Sequence, residues 1–174
     1  MPWTAPQVTR TDPPRVNGER AALQSWLDYH RATLLFKCQG LTGDQLVMRA
    51  AGPSVLSLLG LVRHMAEVER GWFRRGFAID AGPPPLYYSD EDPDGDFEAT
   101  DPAQAEADFA IYLAECALAD EAVRDRSLDD TLPGGRGGSP IDLRWVYLHM
   151  IEEYARHNGH ADLLRERIDG VTGD

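Results

Sequence analysis

Residues 153–160, Glu-Tyr-Ala-Arg-His-Asn-Gly-His, belong to the last of four segments whose apolar residues recur with helical spacing. Ser139-Pro140 and Asp142 are typical of a helix start and Gly170 of a helix end, so we expect this helix to run to about Ile168. Because an α-helix turns by about 100° per residue, positions 153, 157 and 160 fall within roughly 60° of one another. One face of the helix therefore carries a carboxylate and two imidazoles.

This face has two interpretations. Burying such groups is costly unless they are paired or bound to a cation, and imidazole with carboxylate suits zinc, nickel or ferrous iron. Alternatively, Glu153 and His157 form only a weak pair on an exposed helix surface. A metal site requires at least one further ligand from another part of the chain.

Three further helices are predicted upstream. The first runs from about Glu19 to Cys38, the second from a Ser54 cap to about Phe77, and the third begins at Asp101-Pro102. The residues expected to face the core are Leu23, Trp26, Leu27, His30 and Leu34 in the first helix, Leu58, Leu61, Met65, Val68 and Trp72 in the second, and Phe109, Tyr112, Leu113, Cys116 and Val123 in the third. Four long amphipathic segments without a convincing strand predict an all-α fold, an antiparallel four-helix bundle with room for a crossover.

The parts of the chain outside these helices predict an arm and three connectors. Residues 1–18 are rich in Pro and Thr and should form an extended N-terminal arm, before one domain over residues 19–174. Thr42-Gly-Asp-Gln45 is a capping box that predicts a short helical turn. Residues 132–139 are glycine-rich and lack the Lys-Ser/Thr ending of a P-loop, so we interpret them as a linker or a mobile lid.

The connector from Asp80 to Thr100 is rich in Gly, Pro and acidic residues. Carboxylates alternate from Asp90 to Asp96 in the manner of a calcium loop. Counted from Asp90, however, position twelve is Asp101 where an EF-hand has Glu, and no helix directly precedes the loop. We therefore favour a solvated acidic loop over a calcium site.

Charge and hydropathy exclude several classes of partner. The chain of 174 residues has a formal net charge of −12, which opposes attraction to phosphate backbones, so nucleic acid is not expected as a partner. Its longest apolar stretch is far shorter than the roughly 20 residues that span a membrane, and the N-terminus does not resemble a secretory signal. We expect a cytoplasmic protein with no membrane partner. Cys38 and Cys116 lack CxxC partners and are expected to be small core residues.

A third ligand is available on the second helix. Sites in helical bundles are built from inward-facing side chains on facing helices. If the second and fourth helices are neighbours, His64 can meet Glu153 and His157 and complete a three-ligand set. Three protein ligands leave one coordination position open for water, a thiolate or a substrate oxygen, as in catalytic zinc sites.

The sequence around His64, Leu-Gly-Leu-Val-Arg-His-Met-Ala-Glu-Val-Glu-Arg-Gly-Trp-Phe, and the segment from Glu153 to Asp162 resemble the DinB/YfiT-like superfamily, and within it the mini-circle protein family. The resemblance extends from about residue 20 to the end. It implies a four-helix bundle with an up-down-down-up crossover, the ability to form a homodimer, and a divalent metal held by His64, Glu153 and His157. Glu153 stands where many members have His, but the mycothiol-dependent maleylpyruvate isomerases are similar in using His, Glu and His.

Residues near these three positions have roles of their own to consider. His160 falls where many relatives carry Gln beside a histidine ligand, which implies a role toward a ligand or the substrate, and we treat it as the candidate catalytic residue and proton shuttle. His149 could replace a ligand if the helix is rotated. Arg63 and Arg156 are expected to face solvent, the alternative being contact with a carboxylated thiol.

The leading functional hypothesis is a transferase or isomerase that uses zinc, or else nickel or iron, to bind a low-molecular-weight thiol such as mycothiol and direct its thiolate at a small-molecule electrophile. Two alternatives stay open. One is a hydrolase that uses metal-activated water. The other is a non-catalytic stress or ligand-binding bundle, in which a fourth protein ligand such as His160 or His149 would fill the open position.

Overall fold

The computed structural model describes residues 3–78, 82–98, 100–132 and 139–173. Within these ranges the α-helices are α1 Glu19–Cys38, α2 Gly43–Leu46, α3 Leu58–Glu69, α4 Gly95–Glu98, α5 Ala105–Val123 and α6 Leu143–Asp169. A π-helix at Arg70–Arg75 continues α3, and a 3-10 helix at Pro102–Gln104 precedes α5. The described residues form no strand and only two isolated β-bridges, Thr4 with Thr42 and Thr131 with Asp142. The all-α prediction is confirmed for this part of the chain.

Most of the predicted helix ends are confirmed. The Asp142 side chain accepts a hydrogen bond from the backbone N–H of Trp145 at 2.7 Å and caps α6. Gly170 follows the helix with a φ of 77°, a left-handed conformation that favours glycine. Thr42 and Gln45 form the capping box of α2. These signals could be found in the sequence because each is a local contact between residues a few positions apart.

The start of α3 corrects the prediction. Ser57, rather than Ser54, is the N-cap and accepts a hydrogen bond from the backbone N–H of Gly60 at 3.1 Å. The hydroxyl of Ser54 instead accepts from the N–H of Leu56, a local turn that competes with helix capping. The last predicted turns of this helix are π-helical, and there Arg70 and Arg74 both contact the buried carboxylate of Glu115.

The core lies where α1 packs on α6 and where α3 packs on both α5 and α6. Leu27, Leu34, Met65, Tyr112 and Val123 are buried as predicted, and so is the thiol of Cys38. Two predicted core residues are exposed, Trp26 at 47% and Leu113 at 50%, and the rest of the predicted set is buried or partly buried. Trp26 directly precedes the buried Leu27, and Leu113 directly follows the buried Tyr112. Because a helix turns by about 100° per residue, each exposed side chain points away from the buried face. Both cysteines are free thiols.

A buried polar network links the four long helices. The guanidinium group of Arg31 on α1 donates two hydrogen bonds of 2.7 Å to the carboxylate of Glu69 on α3. The hydroxyl of Tyr154 on α6 donates to Glu69 at 2.7 Å, and it lies 3.0 Å from the hydroxyl of Tyr112 on α5. Bidentate geometry and additional donors offset the cost of burying two charges. The network therefore fixes the relative positions of the four long helices.

The N-terminal residues that the structure describes form no helix and pack against the helices. Ala5 is buried and exchanges backbone hydrogen bonds with Leu41 and Gly40. Trp3 packs edge-on against Phe109 at 5.3 Å between ring centroids. Most of the predicted glycine-rich linker, residues 133–138, lies outside the described residues. No helix among the described residues has both the length and the apolarity needed to cross a membrane.

Candidate metal centre

Two packed helices bring three predicted ligands together. His64 on α3 and Glu153 and His157 on α6 each offer a ligand atom, and these atoms all lie within 4.8 Å of one another. The rings of His64 and His157 are 4.7 Å apart between centroids, and Nε2 of His157 lies 3.4 Å from Oε2 of Glu153. The expected convergence of the second and last long helices is therefore present.

The residues of this cluster suit a divalent cation. Burial, with the nearby rings of His64 and His160, lowers the pKa of His157 to about 3, so its imidazole is neutral near pH 7 and has a lone pair to donate. Nδ1 of His157 and Nδ1 of His160 are buried without a hydrogen-bond partner. Such atoms carry a desolvation cost that a bound ion or ligand can offset. Two imidazoles and one carboxylate match the preferences of zinc, nickel and ferrous iron.

Neither His149 nor His160 joins this group of three. Within the described part of the chain, His64, Glu153 and His157 are the only His, Cys, Asp or Glu side chains grouped closely enough to hold a cation. His149 contacts the other oxygen of that carboxylate, with Nε2 at 3.6 Å from Oε1 of Glu153, and its ring packs against Trp72 and Trp145. His160 lies next to the cluster, 5.4 Å from His157 between ring centroids.

The acidic connector contributes a residue that the sequence did not indicate. Oδ2 of Asp96, on α4, lies 2.8 Å from Nδ1 of His64, and the ring of Phe97 stacks on the His64 ring at 4.4 Å. Asp96 is only 6% exposed. The connector is therefore not solvated throughout. Its segment Asp90–Asp94 is exposed, but the next two residues are buried against α3.

Arg63 is the main anchor of this connector, and its predicted solvent exposure is wrong. Its side chain is buried, donating to the carbonyl oxygen of Gly95 at 2.8 Å and to that of Asp96 at 3.1 Å. Its guanidinium group also lies 4.1 Å from the ring centroid of Tyr87. An arginine beside a ligand in sequence can therefore be structural. The prediction for Arg156 is confirmed, because it is exposed and pairs with Glu152.

Further contacts hold the connector at Tyr87. The carboxylate of Glu67 accepts hydrogen bonds from the backbone N–H groups of Leu86 and Tyr87, and the Tyr87 hydroxyl donates to Asp108 at 3.0 Å. Burial raises the pKa of Tyr87 and that of Asp108, so the Tyr87 hydroxyl stays protonated near neutral pH. The connector is thus fixed by side chains of α3 and α5 before it reaches His64.

This helical fold, in which two histidines and a glutamate that could hold a metal converge from two packed helices, has the features expected of the DinB/YfiT-like superfamily. A family model described as mycothiol-S-transferase matches residues 22–170. The chain belongs to the mycothiol-S-transferase family, which lies within that superfamily, and the resemblance predicted from the sequence is confirmed. A search of curated proteins found no match.

Proposed function

We propose that this protein is a metal-dependent S-transferase that joins mycothiol, or a closely similar low-molecular-weight thiol, to a small-molecule electrophile. The observation that carries the proposal is the convergence of His64, Glu153 and His157 in a chain of the mycothiol-S-transferase family. These three residues would hold the ion, zinc first and nickel or iron as alternatives. Three ligands leave a coordination position for the thiol.

The proposed chemistry requires no nucleophile from the protein. A divalent ion bound at this site would act as a Lewis acid that lowers the pKa of a coordinated thiol. The two cysteines are unsuited to the nucleophile's role, because burial raises the pKa of Cys38 to about 12 and also raises that of Cys116. The sulfur must then come from the cosubstrate.

We assign proton transfer to His160, which lies beside His157 with a buried, unpartnered Nδ1. In the proposed step the S–H bond of the thiol breaks and His160 takes the proton. The sulfur forms a bond to carbon of the electrophile. The leaving group departs with its electron pair and recovers the proton, so that the products are a thioether and the protonated leaving group.

Turnover with and without thiol tests this function. Zinc-loaded protein should accelerate the reaction of mycothiol with 1-chloro-2,4-dinitrobenzene, and the Glu153→Ala/His157→Ala double variant should fall to the uncatalysed rate. Glu152→Ala is a matched control, because Glu152 is the exposed neighbour of Glu153 and pairs only with Arg156 in the described contacts. Cleavage of a nitrophenyl ester by the zinc-loaded protein without any thiol would instead support the hydrolase alternative.

The remaining predictions belong to this proposal. Packing of α1 on α6 and of α3 on α5 supports an up-down-down-up four-helix bundle formed by the four long helices. The family match, which begins at residue 22, supports an arm over residues 1–18 and a domain over residues 19–174. The net charge of −12 supports a small-molecule partner in place of nucleic acid. A cytoplasmic location follows from dependence on mycothiol, and the homodimer rests on the superfamily resemblance.

A further inference from the structure

We propose that Asp96 is a positioning residue that holds His64 with its hydrogen on Nδ1 and its lone pair on Nε2, where the metal binds. The inference rests on the proposed metal site and adds to it a residue of the acidic connector. Hydrogen bonds from a ligating histidine to a carboxylate fix the tautomer and the orientation of the ring and raise the basicity of the ligand.

The geometry at His64 supports one tautomer. An ionised carboxylate can only accept hydrogen bonds, so the contact of 2.8 Å between Oδ2 of Asp96 and Nδ1 of His64 requires a hydrogen on that nitrogen. In a neutral ring the lone pair is then on Nε2. Phe97 stacks on the ring with an interplanar angle of 25° and limits its rotation. The two neighbouring residues therefore set both the proton position and the plane of the ligand.

The second oxygen of Asp96 makes the carboxylate difficult to replace. Oδ1 accepts a hydrogen bond from the backbone N–H of Phe97 at 3.0 Å. An asparagine at this position has one carbonyl oxygen and one NH₂ group. Because the N–H of Phe97 can only donate, the carbonyl oxygen has to stay beside it and the NH₂ group has to face His64. Nδ1 must then accept, and the hydrogen moves to Nε2, where it blocks metal binding.

The protein holds Asp96 in place independently of the metal. Arg63 binds the carbonyl oxygens of Gly95 and Asp96, and Glu67 binds the backbone of residues 86 and 87. Both side chains are buried on α3, the helix that also carries His64. The carboxylate is therefore positioned before an ion arrives.

Zinc affinity measured by competition with a chromogenic chelator tests the inference. Asp96→Asn should raise the zinc dissociation constant about 10–100-fold, as is typical for loss of an outer partner of a ligating histidine. Asp94→Asn is the matched control. It removes the same charge from an exposed position of the same connector, and its effect should stay within about twofold because solvent and salt screen exposed charges. An Asp96→Asn protein that binds zinc as tightly as the control would overturn the inference.

A second measurement does not depend on the folding of a variant. Long-range proton–nitrogen NMR spectra of the wild-type protein without metal should show His64 with its hydrogen on Nδ1, and added zinc should shift the Nε2 resonance. A hydrogen on Nε2 in the metal-free protein would sink the assignment. A wild-type protein that binds none of zinc, nickel and ferrous iron would refute the proposed function, whereas the tautomer in the metal-free state would still decide the role of Asp96.

Discussion

His64 on α3 and His157 on α6 lie with their ring centroids 4.7 Å apart, although 93 positions separate them in the sequence. Two protonated imidazoles at this separation would repel each other, and the low pKa of His157, about 3, keeps that ring neutral. A shared cation can be bound by two imidazole rings, at least one of which stays neutral, together with the carboxylate beside them. The contact between these two helices is therefore where the function of the protein is to be sought.

Substitution of the two histidines that flank Glu153 should separate the candidate ligands. His157→Ala should abolish stoichiometric zinc binding, because two ligands remain. His149→Ala should retain one zinc per chain, because His149 is outside the group of His64, Glu153 and His157 and its ring packs on tryptophans. Elemental analysis of dialysed protein gives the zinc content. If the His149 variant loses its zinc and the His157 variant keeps it, the ligand is His149 and our assignment of His157 is wrong.

Glu69→Ala should destabilise the fold strongly. The substitution leaves the guanidinium group of Arg31 buried without its bidentate partner and removes the acceptor of the Tyr154 hydroxyl. We expect the free energy of unfolding to fall by about 3–5 kcal/mol, the usual cost of breaking a buried ion pair. Glu152→Ala, which breaks an exposed pair, should cost no more than about 0.5 kcal/mol. Denaturant unfolding monitored by circular dichroism measures both, and equal effects would contradict the prediction.

The two thiols should be unreactive in the folded protein. Burial raises the pKa of Cys38 to about 12, so at pH 8 this thiol is protonated, and its thiolate fraction increases only as the pH rises toward that value. Burial also raises the pKa of Cys116. Iodoacetamide at pH 8 should leave the native chain unmodified, and the same treatment in guanidinium should add two carbamidomethyl groups by mass spectrometry. Rapid alkylation of the native chain would contradict this prediction and would support a cysteine of the protein as the nucleophile.

Gly159 within α6 and Gly170 directly after it should respond oppositely to alanine. A methyl group at Gly159 meets no atom within 4 Å, so Gly159→Ala should stabilise the helix by about 0.5–1 kcal/mol. Gly170 has a φ of 77°, so Gly170→Ala should cost about 1–2 kcal/mol. Thermal unfolding of the metal-free variants measures both changes. A destabilised Gly159→Ala protein would indicate that α6 is not a regular helix between His157 and His160.

The sequence was sufficient for those features that depend on local geometry. The bounds of α1, the Asp142 cap and the Gly170 end are each set by a few consecutive residues. The grouping of Glu153 with His157 follows from helical spacing, and His64 was found because bundle sites form between facing helices. The exposure of Trp26 and Leu113 could not be predicted from helical spacing, because the pattern of apolar residues does not show how wide the buried face of a helix is.

Asp96 and Arg63 were missed for a different reason. The contact between Asp96 and His64 spans 32 residues, across a connector that lacks periodicity, and nothing in its composition distinguishes Asp96 from the exposed carboxylates around it. Arg63 resembles any solvated arginine until the carbonyl oxygens that it binds are placed. Long-range pairing of polar groups is decided by the packed fold, which a single sequence does not reveal.

The network of Arg31, Glu69 and Tyr154 also sets the longitudinal alignment of the two helices that carry the ligands. Glu69 is on the same helix as His64, and Tyr154 directly follows Glu153. Sliding α6 along α3 by one turn, about 5.4 Å, would break the Tyr154–Glu69 hydrogen bond and separate the imidazoles. The buried polar network thus fixes the axial position of α6 relative to α3, and this position determines the distances between His64 and the two candidate ligands on α6.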